Sequence, residues 1–238
     1  MHTSWTTTRL LLGVDRRQLE SVPRSSRAAP ILVGVLNLFF CAYAERYLGE
    51  DLGGVFLSLF FFLEASCFIV LVTVQYLSVT EQILLRIRTY PTVPWSRFLF
   101  AALAGVRRPV CIVLWGTTSF ALLLLNRHSM ASSILVPLLY TFLLLDLQLI
   151  MTTSLLVVSR RGYPATALIA LFAILTFALL LGFLVFQFTS VLTGMPFLSW
   201  AVAGVVAVNE GNIPSALISL SLLGVTLLIG IEAGRRFA

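Results

Sequence analysis

The chain has 238 residues, 59% of them apolar and 11% charged, and sixteen basic against ten acidic side chains give a net charge of +6. Its mean hydropathy is +0.99. Soluble domains carry about 45–50% apolar and about 25% charged residues, so this composition excludes a soluble enzyme or nucleic-acid-binding domain and predicts an all-α, polytopic membrane protein.

In chain order, residues 1–29 form a basic cytoplasmic segment around the short apolar run Leu10-Leu11-Leu12-Gly13-Val14. That run is too short for a signal-peptide core and no small-residue cleavage site follows it. Leu10, Leu11, Val14 and Leu19 set against Arg9, Arg16 and Arg17 suit an amphipathic helix lying on the inner membrane surface. Residues 30–238 make a six-span transmembrane domain. The first span runs from about Ala28 to Tyr47 and the second from about Leu52 to Val79, separated by the charged turn Gly49-Glu50-Asp51. A cytoplasmic segment follows over 80–97, amphipathic at first and then broken by Pro91 and Pro94. Residues 98–108 are expected at the interface, leading into a third span from Pro109 to Leu125. After the turn Asn126–Ser129, a fourth span covers Met130 to Val158, and a fifth runs from Ala165 to about Val191. Residues 194–214 hold Gly194, Pro196, Gly204, Gly211 and Pro214 among apolar neighbours, a pattern that predicts a re-entrant pair of short helices. The sixth span, Pro214 to Gly234, ends in Arg235-Arg236.

Arginine placement orients this chain. With six spans, fourteen of the sixteen arginines fall on the side of the termini and only Arg46 and Arg127 on the other. Both termini are therefore expected in the cytoplasm, and the charge is a topology signal that calls for no nucleic-acid partner.

Residue usage narrows the chemistry. Every basic residue is arginine, so the chain lacks the P-loop lysine of a nucleotide hydrolase and the amine of a Schiff-base enzyme. His2 and His128 are too few for an HExxH zinc site. No catalytic residue and no metal set is assigned. Cys41, Cys67 and Cys111 lie in apolar stretches and are expected to be small buried hydrophobes.

Two acids fall deep in predicted spans. Glu64 and Asp146 lie ~18 and ~24 Å inside, at about 1.5 Å per residue, near the middle of a ~30 Å core. An ionisable group there costs at least about 2.5–3.5 kcal/mol, so it must be protonated, paired or facing a polar cavity. Asn37, Ser66, Thr73 and Gln148 are the candidate partners. Two roles are open: a translocation or proton-linked site using Glu64, Asp146, Asn37 and Gln148, or neutral glue between helices. Gly230 and Gly234 fit the small-xxx-small pattern of close helix packing, and Glu232 is spaced to pair with Arg235 and Arg236.

The order of these features resembles the permease subunits of type-2 ABC exporters. The local resemblance lies in Thr80-Glu81-Gln82-Ile83-Leu84-Leu85 followed by Pro94-Trp95-Ser96-Arg97-Phe98-Leu99, and in Met195-Pro196-Phe197-Leu198-Ser199-Trp200 before the last span. Gln75 and Val79 stand where that family carries an acid and a glycine, and Arg86 to Thr89 lengthen the segment. The resemblance implies an amphipathic N-terminal helix, a cytoplasmic coupling helix over 80–97, a re-entrant hairpin over 194–214 and six spans. It further implies a homodimer or heterodimer of permeases in a bacterial or archaeal cytoplasmic membrane. A separate ATPase subunit would bind ATP and Mg²⁺ and contact Glu81, Leu84, Leu85, Arg86, Arg88 and Arg97. The rivals are an ion- or proton-coupled secondary transporter or channel, and a nonenzymatic membrane scaffold.

Overall fold

The computed structural model describes residues 2–20, 31, 34–35, 38–39, 94–107, 109–125, 130–161 and 196–237, all of them helical or in helix-connecting turns. The complete helices among them are α1 (His2–Glu20), α2 (Pro94–Val106), α3 (Pro109–Leu125), α4 (Met130–Arg161), α5 (Pro196–Asn209) and α6 (Ile213–Phe237). Prolines open α2, α3 and α5, as suits a residue whose missing N–H is unneeded in the first helical turn. The predicted second and fifth spans, Glu64 and residues 80–93 lie outside the described residues.

Two helices, over Ser133–Ser154 and Ile213–Arg236, are long and apolar enough to cross a bilayer. A third candidate is the pair α2 and α3, bent by 60° at the break between them. Helix α4 extends to 32 residues, about 48 Å at 1.5 Å per residue, so it outruns a ~30 Å hydrocarbon core.

Helices α4 and α6 run parallel. Phe142 meets Gly224, Asp146 meets Thr226 and Leu149 meets Gly230, each pair further along both helices. Helix α6 turns a face of smaller residues to this contact: Ala216 and Leu223 are fully buried, and Ser219, Gly230 and Gly234 share their side. A Cβ on Gly230 would stand 3.3 Å from Leu149, and the Phe98 ring occupies the space beside Gly234, so the predicted small-xxx-small pattern packs within the chain. The opposite face of α6 exposes Leu217, Ile218, Leu222, Val225, Leu228 and Ile229. Small residues inward and large apolar residues outward is the arrangement of a helix solvated by lipid, because acyl chains cover such a face at no cost.

The sequence predicts two short helices over 194–214; the structure has one described helix there, α5, followed by a turn. Gly204, read as a breaker, lies inside α5 and admits Leu139 and Ser219, whose atoms stand 2.8 and 3.0 Å from where its Cβ would be. Gly211 and Pro214 belong to the junction with α6. Gly211 adopts φ 74°, the amide of Asn212 donates to the Ala207 carbonyl at 2.7 Å and that of Gly211 to Val208 at 3.1 Å. This is a Schellman ending, which needs a left-handed residue that glycine supplies without strain. Asn212 then caps α6, its side chain accepting from the Ser215 amide at 3.3 Å.

A second correction concerns residues 94–108. Pro94 does not end the coupling segment in a loop but begins α2, whose Phe98, Phe100, Ala101 and Ala104 are buried against the bundle. Helix α1 packs on α2, with Thr8, Leu12 and Asp15 buried along one of its sides; the Thr8 hydroxyl donates to the Ser96 carbonyl at 3.4 Å. Trp5, Leu10 and Val14 stay exposed on α1, together with Arg9, Arg16 and Arg17, the composition expected of an interfacial helix. Of the predicted first span, residues 31, 34–35 and 38–39 are helical, and Gly34 lies against Val113 and Thr117 of α3.

Leucine at position 204 would overfill the α4–α5–α6 contact, whereas nothing stands within 4 Å of the Cβ position at Gly116. Gly204→Leu is expected to destabilise the chain by about 1–3 kcal/mol and Gly116→Leu to leave it unchanged or slightly more stable, measured by unfolding in detergent micelles.

Candidate functional site

Asp146 occupies the buried side of α4, with 2% of its surface exposed. Within Ser133–Ser154 it lies about 20 Å from one end and about 12 Å from the other at 1.5 Å per residue, off-centre toward Ser154. Its described partner is on α6: the Thr226 hydroxyl donates to Asp146 Oδ2 at 2.8 Å. The same hydroxyl is 2.8 Å from the Leu223 carbonyl. A threonine hydroxyl carries one proton, so at any moment it serves either Asp146 or the Leu223 carbonyl.

This pair opens onto a crevice of about 310 Å³ between α4, α6 and the first turn of α5. Leu149, Ile150, Phe197, Ile229 and Gly230 form most of its wall, with Thr153, Ser154 and Ala233 toward the C-terminal ends of α4 and α6. Ile150 and Ile229 are exposed at its rim. Phe197 stands in this wall while α5 ends beside the start of α6. Helix α5 therefore starts at the depth of Asp146 and covers only part of the length of α6; its 14 residues span about 21 Å.

Gln148, expected among the partners of Asp146, lies instead on the side of α4 that faces α2 and α3. Residues two apart on a helix point in different directions. The Gln148 amide fills the space where Gly105 has no side chain, and its Nε2 donates to Thr152 Oγ1 at 3.4 Å. Its Oε1 is buried without a partner. Gln148 lines a separate apolar crevice of about 260 Å³ with Cys111, Ile112, Trp115 and Thr141. There the Trp115 indole N–H donates to Thr141 Oγ1 at 2.8 Å, and Thr141 donates on to the Pro137 carbonyl at 2.7 Å. Thr141 thus uses both its proton and a lone pair, tying α3 to α4. Cys111 is buried as expected.

The other predicted site residues divide simply. Asn37 and Glu64 lie outside the described residues, as do Glu81, Leu84, Leu85, Arg86 and Arg88. Arg97 sits in the first turn of α2, half-buried, beside Ser96, which receives α1, and Phe98, which receives Gly234. Arg97 therefore shares one end of the bundle with α1 and the end of α6. Glu232 pairs with Arg235 at 3.5 Å and Arg236 at 3.1 Å in the predicted spacing. All three side chains are well exposed, and such pairs contribute about 0–1 kcal/mol. Among the described residues no group of three His, Cys, Asp or Glu side chains could hold a metal ion.

Thr226 was not legible as a site residue from its identity alone. The signal that could have found it is its position on the same α6 face as Ser219 and Gly230, polar or small where the opposite face is leucine and isoleucine.

Thr226→Val removes the hydroxyl donor, and its cost depends on Asp146. A double-mutant cycle with Asp146→Leu should return a coupling of about 0.5–1.7 kcal/mol in unfolding free energy, the range of interhelical hydrogen bonds in membrane proteins. Strict additivity would mean that the pair contributes nothing to the α4–α6 contact.

No protein-family model, curated protein or solved structure matches this chain.

Proposed function

We propose that this chain is the permease subunit of a type-2 ABC exporter, a six-span membrane protein that dimerises and moves a hydrophobic or amphipathic substrate with a separate ATPase subunit. The observation that carries the reading is the α5–α6 arrangement. A helix too short to cross a ~30 Å core begins at the depth of Asp146, ends in a capped turn and is followed by a full-length final helix closing on Arg235-Arg236. A partial-depth helix ahead of the last span agrees with the layout of that family. Support also comes from α1, a helix carrying exposed Arg9, Arg16 and Arg17 that packs on the start of α2. In this reading both termini are cytoplasmic, ATP and Mg²⁺ bind the partner chain, and residues 80–97 carry motion from it. The chain's lack of lysine accords with that division of labour.

A second reading has its own observation. Asp146, hydrogen-bonded to Thr226 beside a crevice, has the chemistry of an ion or proton site. It describes a secondary transporter or channel using Asp146 with Glu64.

Purification of the full chain from its native membrane in mild detergent separates the two. The exporter reading expects a stoichiometric second chain bearing a P-loop lysine, with ATP hydrolysis in the complex. It further expects that joint reversal, Glu81→Arg with Arg86→Glu, weakens that association while membrane insertion persists, since charge pairs at such contacts set register and partner choice. Transport that proceeds without ATP and collapses with an uncoupler would refute it in favour of the ion-coupled reading.

A further inference from the structure

We infer that the crevice at Asp146 binds an amphipathic ammonium ion: a single apolar chain or ring system bearing a protonated amine. The inference deepens the exporter reading by naming a substrate class, and its binding step belongs to this chain alone.

Three features converge on that chemistry. The first is a shortage of donors. Asp146 Oδ2 and the Leu223 carbonyl both lie 2.8 Å from the one hydroxyl of Thr226; the carbonyl also has the Leu227 amide of its own helix, so the carboxyl is the acceptor left short when the hydroxyl turns to Leu223. An incoming N–H supplies the missing proton, whereas a carboxylate or phosphate headgroup brings more acceptors and a second negative charge. The second is charge. Among the described residues of the crevice wall Asp146 is the one ionisable side chain and no arginine stands beside it, so the described wall offers the carboxyl no cationic counterpart. A buried carboxylate without a cation is costly, and an ammonium forms with it the charge-assisted hydrogen bond that is stronger than a neutral one.

The third is shape. The cavity of about 310 Å³ lies at the low end of ligand pockets. It takes the amine and the first part of an apolar chain, while the exposed rim at Ile150 and Ile229 lets the rest lie along the bilayer-facing surface. Phe197 adds an aromatic ring to the same wall, edge-on to Trp200 with centroids 6.3 Å apart, and aromatic rings attract ammonium ions. The Thr153, Ser154 and Ala233 end of the crevice lies toward the arginine-tipped end of α6, the inner leaflet in the exporter reading. An amphiphile partitioned there reaches the site without leaving the membrane. Phosphatidylethanolamine carries the same ammonium, but Asp146 lies about 12 Å inside the Ser154 end of its span at 1.5 Å per residue. That depth favours a slender single-chain amine over a two-chain lipid.

The test is equilibrium binding of radiolabelled decylamine and, separately, decanol to the purified full chain in nanodiscs of phosphatidylcholine, with no ATPase present. Empty nanodiscs give the partition background. Wild type is expected to bind decylamine at least about tenfold more tightly than decanol. Asp146→Asn, which keeps size and hydrogen-bonding capacity, should erase that preference while decanol affinity stays within about twofold. Ile229→Trp, at the rim, should weaken both ligands. A second set of nanodiscs containing phosphatidylethanolamine distinguishes the source of the ammonium: unchanged decylamine binding assigns the site to single-chain amines, and competition assigns it to the resident headgroup. Equal affinity for amine and alcohol in wild type, or an unchanged preference in Asp146→Asn with a native unfolding profile, overturns the inference. Failure of an ATPase to copurify bears on the exporter reading and leaves this binding result intact.

Discussion

Close approach of α4 and α6 is the constraint on which the other features depend. A carboxyl group in an apolar bundle is tolerable only if its oxygen finds a donor within hydrogen-bonding distance, and Thr226 has a short side chain. The backbones must therefore come near enough for a threonine to reach, which Gly224 and Gly230 on either side permit. Large side chains at those two positions would push α6 away from Phe142 and Leu149 and separate Asp146 from its donor. Packing and polarity are one problem at this contact. In a bilayer, where lipid tails compete equally for apolar surfaces, small residues and hydrogen bonds are what hold helices together.

The same economy recurs around α4 and α3. Gly105 makes room for the Gln148 amide, Gly204 for Leu139, and Gly34 for Val113 and Thr117. At each place a missing side chain on one helix receives a larger one from its neighbour. Hydrogen bonds between α4 and its neighbours, Trp115 to Thr141 and Thr226 to Asp146, accompany these contacts. Helix α4 touches α2, α3, α5 and α6 and is the scaffold against which the others are registered. The exposed face of α6 carries mostly leucine, isoleucine and valine, while Asp146, Gln148, Thr152 and Ser219 are buried between the helices.

Composition and apolar run lengths made the helical, membrane-compatible character legible, and the long apolar segments starting at Met130 and Pro214 are helices that begin within a residue of those points. Asp146 was legible because a charge inside a long apolar run is conspicuous. Its partner was not: proximity in sequence suggested Gln148, but two residues along a helix is about 200° of rotation, which turns that amide toward Gly105. The donor came from 80 residues away, a pairing set by the parallel register of two helices and invisible to any local pattern. Glycine and proline in 194–214 were misread for a related reason. Gly204 inside a helix and Gly211 in a left-handed turn look alike in sequence, yet one admits a neighbour and the other ends a helix. Only packing distinguishes them. The 80–97 segment shows a similar limit, because proline marks a helix start as readily as a break, and Pro94 turned out to begin α2.

The most direct test of this account is a disulfide between α4 and α6. With native cysteines removed, the pair Leu149→Cys and Gly230→Cys places Cβ positions about 3.5 Å apart, inside the range a disulfide accepts. Mild oxidation in membranes should join them within one chain in high yield. The control pair, Leu149→Cys with Leu228→Cys on the exposed face of α6, should stay reduced. Efficient crosslinking of the control, or none at 149 and 230, would contradict the parallel α4–α6 register and with it the meeting of Asp146 and Thr226.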